Sequence, residues 1–86
     1  MIIFYNKKTG EVVGSIDGRI HTEGQLNMWM GDPKETDRIV VQWIKGKDEQ
    51  FYPDCTQPEI FREFDEGTSA IYKFKVNIKT KKMYLP

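Results

Sequence analysis

Short apolar runs of strand length, separated by clusters of turn residues, are the feature that most limits how this chain can fold. Residues 2–5 are apolar and rich in β-formers, and residues 6–10 follow them as a turn cluster that ends in glycine. Residues 11–16 resume the strand pattern, which predicts a β-hairpin. The pair Asp17-Gly18 tolerates the positive φ of a type I′ turn, so we predict a third strand after it and a three-stranded meander up to residue 21.

Three further strands are predicted in the middle of the chain. Aliphatic side chains alternate with other residues over 26–30, which indicates a strand with one aliphatic face. Residues 38–44 are apolar on both alternating faces, a pattern typical of a central strand. A turn at 45–48 and a short return strand over 49–52 are expected to follow.

One helix is predicted, around residues 57–66. Thr56 and Glu59 have the spacing of a capping box, in which each side chain bonds the other residue's backbone N–H. Pro58 suits the first helical turn, and Gly67 stands where a helix commonly ends.

The end of the chain is basic and has the pattern of a strand. Residues 70–86 hold five lysines and no acid, whereas residues 46–69 hold seven acids against Lys47 and Arg62, although the whole chain is neutral. Apolar side chains at 72, 74, 76 and 78 alternate with polar ones, so the lysines belong to a defined strand face and turn. The predicted partner-binding or nucleic-acid-binding surface consists of Lys73, Lys75, Lys79, Lys81 and Lys82.

The same turn chemistry is predicted twice, because the spacing Asn-x-Lys-Thr begins at Asn6 and again at Asn77. Residues 5–12, Tyr-Asn-Lys-Lys-Thr-Gly-Glu-Val, place this turn directly after an aromatic strand. In that respect the segment resembles small phage-encoded virion and tail-associated proteins. The resemblance favours a structural role in assembly and assigns no role to an individual residue.

Together these patterns predict a single mostly β domain over 1–86 with one short helix, arranged as a curved antiparallel sheet or a small open barrel built from hairpins. The N-terminus lacks the basic and apolar regions of a signal peptide, so we expect a cytoplasmic or virion protein with no membrane contact. The predicted core is Ile2, Phe4, Val12, Ile16, Met28, Ile39, Val41, Trp43, Phe61, Phe64, Phe74 and Val76.

Few residues offer catalytic or metal-binding chemistry. His21 and Cys55 are each the single residue of their type, which leaves no zinc-binding template and no internal disulfide. No glycine-rich phosphate loop is present, and we expect no cofactor. A thiol close to a helix N-terminus is activated, so Cys55, just before the predicted helix, is the candidate reactive thiol.

The leading hypothesis is therefore a non-enzymatic structural or protein-interaction module that self-associates or binds a protein partner. Opposite charges on neighbouring segments can be satisfied within one subunit or between subunits. One alternative is a nucleic-acid-binding β-module that uses the C-terminal lysines. A second alternative is a small enzyme or enzyme inhibitor.

Overall fold

The computed structural model describes residues 1–57 and 71–86, which form a mostly β protein. Its elements in chain order are β1 (Ile2–Asn6), β2 (Val12–Ile16), α1 (Glu23–Leu26), β3 (Thr36–Val40), β4 (Trp43–Lys45), β5 (Phe51–Pro53), β6 (Lys75–Val76) and β7 (Met83–Tyr84). The strands make three antiparallel sheets, in the orders β2-β1-β3, β4-β5 and β6-β7, which stay separate rather than closing on one another. The predicted mostly β fold class is confirmed.

The helix predicted around 57–66 falls on residues 58–70, which lie outside the described residues. The short helix that the described residues do contain is α1. No helix in 1–57 or 71–86 combines the length and the apolar character needed to cross a bilayer.

β1 is the central strand of the largest sheet, and residues 2–5 are buried on both faces. The prediction of a central strand over 38–44 is wrong, because the chain leaves the sheet after β3 and β3 lies at the sheet edge. The Gln42 carbonyl oxygen accepts a hydrogen bond from the Asp54 N–H at 2.7 Å, which turns the chain into the β4-β5 hairpin. Val40, which a central strand would bury, is 52% exposed.

The predicted strand after Asp17-Gly18 is also wrong. Gly18 does take a positive φ of 115°, but its carbonyl oxygen accepts hydrogen bonds from the Met1 α-amino group at 2.8 Å and from Trp43 Nε1 at 2.9 Å. These bonds direct the chain away from β2, and Ile20 is 91% exposed. β1 therefore pairs on its second side with β3, which arrives from much later in the sequence.

The strand predicted over 26–30 is replaced by α1 and an irregular segment. Thr22 Oγ1 accepts a hydrogen bond from the Gln25 N–H at 3.2 Å, and Gln25 Oε1 accepts one from the Thr22 N–H at 2.9 Å. This reciprocal capping box starts a helix where the aliphatic alternation had indicated a strand. The helix ends at Leu26, and residues 27–30 then cross one face of the sheet.

The main core lies on the other face of β1, where residues from both ends of the chain meet. Its buried members are Met1, Ile3, Tyr5, Val41, Cys55, Ile71, Phe74, Val76 and Met83. Among the predicted core residues, the buried ones are Ile2, Phe4, Val41, Phe74 and Val76, and the partly buried ones are Val12, Ile16, Ile39 and Trp43. Met28 is 49% exposed, so its assignment to the core is wrong, and Phe61 and Phe64 lie outside the described residues.

The repeated turn predicted from the Asn-x-Lys-Thr spacing is confirmed. Asn6 Oδ1 accepts hydrogen bonds from the amides two and three residues later at 2.8 and 3.1 Å, and Asn77 Oδ1 does the same at 2.9 and 3.1 Å. Each turn then reaches a residue with positive φ, Gly10 at 77° in the first and Lys81 at 61° in the second. An asparagine that bonds its own turn in this way fixes the loop and hence the register of the hairpin.

Candidate interaction surface

Arg38 holds residues 26–30 against the sheet face opposite the main core. Its Nη1 atom donates hydrogen bonds to the carbonyl oxygens of Leu26 and Met28, the second at 3.0 Å. Its guanidinium carbon lies 5.2 Å from the centre of the Trp29 ring, within the range of a cation–π contact. The planar guanidinium is therefore held both by its edge and by its face.

Trp29 is anchored on its other sides by the sheet. Its ring meets the buried Phe4 ring edge to face, with the ring centres 5.8 Å apart and an angle of 72° between the planes. Its Nε1 atom donates a hydrogen bond to Thr36 Oγ1 at 3.0 Å, which satisfies the indole N–H. Trp29 is thus held by contacts on several sides, although 39% of its surface remains accessible to solvent.

These contacts leave a half-exposed apolar area around a fixed cation. Val40 lies two residues after Arg38 on the same strand and therefore projects from the same sheet face. We call this area the Trp29 surface; it consists of Leu26 (38% exposed), Met28 (49%), Trp29 (39%) and Val40 (52%) around Arg38. Exposed apolar residues grouped in this way are typical of interaction surfaces, whereas single exposed apolar residues are common everywhere.

The predicted lysine surface is less regular than a strand face, because β6 has only two residues. Lys75 is half-buried in β6, whereas Tyr72 and Ile78, expected on the inward face, are exposed. Lys82 Nζ lies 3.6 Å from Asp54 Oδ2. Exposed positions in the loops around β6 and β7 are occupied by Lys73, Lys79, Lys81 and Lys82.

Lys81 joins the C-terminal hairpin to β1. Its Nζ atom donates a hydrogen bond to Tyr5 Oη at 2.8 Å and lies 5.4 Å from the centre of the Tyr5 ring. The hydrogen bond to Tyr5 raises the pKa of Lys81 above its ordinary value, and the nearby Asp37 carboxylate adds to the effect. Lys81 is consequently both a surface cation and a structural contact.

The two repeated turns lie side by side, because the Val76 N–H donates to the Gly10 carbonyl oxygen at 2.8 Å, immediately before Asn77 begins the second turn. Lysines of the N-terminal turn therefore join those of the C-terminal turn. We call this region the basic end; it consists of Lys7, Lys8, Lys79, Lys81 and Lys82. Lys7 Nζ donates to the Pro33 carbonyl oxygen at 3.1 Å, so this lysine is partly engaged.

A small open cavity of about 230 Å³ lies beside the basic end, between the start of β2 and the segment that leads into β6. Its lining residues are Glu11, Val12, Tyr72, Lys73, Phe74, Lys75 and Pro86. Its volume is below the usual 300–1,000 Å³ of pockets that hold small organic ligands. Within residues 1–57 and 71–86, no cluster of three potential metal-ligating side chains occurs.

Cys55, the candidate reactive thiol, is 7% exposed and belongs to the main core. Because disulfide exchange requires access to the sulfur, we expect Cys55 in the native protein to react with a thiol reagent at least about a hundredfold more slowly than in unfolded protein. The measurement is the rate of colour release from a chromogenic disulfide with and without denaturant. Equal rates in the two states would show that the thiol is accessible.

His21 is a half-buried residue whose two ring nitrogens are shielded from water without a hydrogen-bond partner in the described part of the chain. Burial lowers the pKa of His21, and the nearby Met1 α-ammonium lowers it further. The folded protein therefore binds a proton at His21 less readily than the unfolded chain does, and stability should fall as pH decreases below about 6.5. Thermal midpoints between pH 8 and pH 5.5 should fall more for wild type than for His21→Gln, and parallel curves would contradict this expectation.

The Trp29 surface was not found by sequence reasoning, although one signal for it was present. Thr22 and Gln25 have capping-box spacing, the same motif that led to a predicted helix later in the chain. That motif predicts a helix that begins after Thr22, which is incompatible with the strand predicted over 26–30. Nothing in the sequence indicated that Arg38 would bond to carbonyl oxygens ten and twelve residues earlier.

The chain was compared with protein families, curated proteins and solved structures. No protein-family model, curated protein or solved structure matches it.

Proposed function

We propose that this chain is a non-enzymatic protein-interaction module that takes part in assembly and binds its partner through the Trp29 surface. The observation that carries the proposal is the half-exposed apolar area around the fixed guanidinium of Arg38. Tryptophan, methionine and arginine are enriched in protein interfaces, and rigid anchors lose little conformational entropy on binding. The resemblance of residues 5–12 to virion and tail-associated proteins supports the assembly part of the proposal.

Two further features support a binding role over a catalytic one. The Cys55 thiol lies in the core, and the His21 nitrogens are shielded, so neither is presented to a substrate. The cavity beside the basic end is small and open. A protein interface, in contrast, requires only a surface of the kind that surrounds Arg38.

A charge placed in the Trp29 surface tests the proposal. Met28→Lys adds a charge at a half-exposed position, so folding should be unaffected while a desolvated contact is lost. The matched control is Val13→Lys, which changes a 44% exposed residue in β2, at the other edge of the sheet. A partner retained by the wild-type chain should be purified and its binding measured by calorimetry. Met28→Lys should weaken the dissociation constant at least about tenfold, and Val13→Lys less than about twofold.

Equal binding by the two variants would overturn the assignment of the Trp29 surface. Differential scanning calorimetry must first show that each variant unfolds at the same midpoint temperature as the wild-type chain. A loss of binding in Met28→Lys that came with a lowered midpoint would point to misfolding, and Leu26→Lys would then replace it as the test.

The nucleic-acid alternative is favoured by one observation, the meeting of the two lysine-bearing turns at the basic end. Phosphate contacts release counterions, so binding of a single-stranded oligonucleotide should weaken steeply as salt rises. The double substitution Lys8→Glu and Lys79→Glu should abolish oligonucleotide binding, because both side chains are exposed and lie at equivalent positions of the two turns. Lys34→Glu with Lys47→Glu is the charge-matched control. No fluorescence-anisotropy change at low salt would eliminate this alternative.

A further inference from the structure

We infer that the partner of this chain is a second copy of itself, joined through the open edge of β3 into one continuous six-stranded sheet. This inference rests on the proposed function, because the Trp29 surface borders the same edge. It adds the identity of the partner, the strand that pairs and the register of the pairing.

The first step is the direction of the backbone groups of β3. The Val41 N–H donates to the Met1 carbonyl oxygen at 2.7 Å, and the Lys7 N–H donates to the Glu35 carbonyl oxygen at 2.9 Å. Because ladder bonds alternate along an antiparallel strand, the odd-numbered residues from 35 to 41 bond to β1 and the even-numbered ones point outward. Arg38 and Val40 therefore direct their N–H and C=O groups away from β1.

The second step is that this edge is open within the described residues. No strand in 1–57 or 71–86 pairs with the outer side of β3. Asp37 Oδ1 accepts a hydrogen bond from the Arg38 N–H at 2.8 Å, a local cap that a pairing strand can replace. Open strand edges flanked by apolar side chains pair readily with another strand, which is why many proteins block such edges with lysine or proline. β3 contains neither, and its two charged side chains, Asp37 and Arg38, are both engaged in local hydrogen bonds.

The third step is the register, which charge and the neighbouring hairpin restrict to one choice. Antiparallel pairing of two β3 edges must place even-numbered residues opposite each other. A pair centred on Arg38 places the two guanidinium groups opposite each other. A pair centred on Asp37 places the two carboxylates opposite each other. Like charges in these positions destabilise the pairing. Centring it on Val40 requires the Gln42 carbonyl oxygen, which is already bonded to the Asp54 N–H.

The remaining register is centred on Ile39. Arg38 of each copy then lies opposite Val40 of the other, and the two Ile39 side chains form an apolar cross-strand pair. Pairing about this centre makes four hydrogen bonds between the copies, two at each Arg38–Val40 pair. No like charges are placed opposite each other.

The two-fold axis of such a pairing is perpendicular to the sheet, so the same face of both copies points to the same side. Arg38 and Val40, which belong to the Trp29 surface, therefore lie next to Val40 and Arg38 of the other copy on that face. The interface between the two copies therefore includes apolar side chains of the sheet face as well as the backbone hydrogen bonds of the strand edge. The formal net charge of the chain is zero, so two copies have no net charge repulsion to overcome.

Disulfide capture tests both the pairing and the register. In Ile39→Cys the two new thiols face each other at a position where cross-strand disulfides form, whereas in Asp37→Cys they are about 13 Å apart along the strands. We expect mild oxidation to convert Ile39→Cys into a covalent dimer that a reductant reverses. Asp37→Cys and wild type, with Cys55 buried, should remain monomers on a non-reducing gel. Cross-linking of Asp37→Cys as efficiently as Ile39→Cys would overturn the register.

Sedimentation equilibrium of the purified chain alone tests whether pairing occurs without cross-linking. The wild-type chain should show a concentration-dependent monomer–dimer equilibrium below 1 mM, a range set by ordinary weak interfaces. Val40→Lys should weaken dimerisation at least about tenfold, and Val13→Lys should leave it within about twofold. A wild-type chain that stays monomeric overturns this inference. If the Trp29 surface then still binds a different protein, the proposed function stands without it.

Discussion

Replacing Phe4 with alanine is expected to lower the free energy of unfolding by about 3–5 kcal/mol. Phe4 is fully buried in the central strand and supports the Trp29 ring, so truncation leaves a cavity beneath the Trp29 surface. A domain of this size is stabilised by only about 4–13 kcal/mol in total, so the substitution should remove a large share of its stability. The measurement is urea denaturation followed by circular dichroism.

The control for this prediction is Phe51→Ala, because Phe51 is 47% exposed and contacts the guanidinium of Arg19. Its loss should cost about 1 kcal/mol or less. If Phe4→Ala fails to fold at all, Phe4→Leu preserves most of the volume and should cost about 1.5 kcal/mol. Equal stability of Phe4→Ala and Phe51→Ala would contradict the central role of β1.

Gly10→Ala should produce the second large loss, on the order of 3 kcal/mol. Gly10 has a φ of 77°, and a Cβ atom there would stand 2.2 Å from the Val76 carbonyl oxygen. The backbone must move to relieve this contact, and that movement breaks the hydrogen bond from the Val76 N–H to the Gly10 carbonyl oxygen. The same urea titration measures the effect.

Gly24→Ala is the matched control for Gly10→Ala. Gly24 lies in α1, and the nearest atom to an added Cβ is Thr22 Oγ1 at 3.8 Å. Alanine favours the helix over glycine by about 0.5–1 kcal/mol, so this variant should be unchanged or slightly more stable. A loss in Gly24→Ala equal to that in Gly10→Ala would show that general glycine effects, and not the contact with Val76, determine the result.

The sequence was sufficient to predict features that depend on local chemistry. The Asn6 and Asn77 turns follow from a side chain that bonds its own backbone, and the mostly β class follows from short apolar runs. The short return strand predicted over 49–52, after a turn cluster, corresponds to β5 (Phe51–Pro53). In each case the residues that determine the structure are neighbours in the chain.

Features that depend on distant partners were missed. The apolar run from Arg38 looked central, but β1 occupies that place because β3 and β2 pair with it and both of its faces are covered. Gly18 looked like a hairpin turn, but Met1 and Trp43 bond its carbonyl oxygen. The Trp29 surface was missed because a cation that bonds carbonyl oxygens leaves no periodic pattern in a sequence.

The contacts between the two repeated turns also constrain how the chain folds. Tyr5 and Lys81 are 76 positions apart, and Met83 is fully buried in the same core as Ile3. Closing so long a loop costs entropy before any of these contacts can form, and native pairings that are distant in sequence slow folding. During synthesis the face of β1 that carries Ile3 and Tyr5 therefore lacks its full cover until the ribosome has released the segment around residue 83.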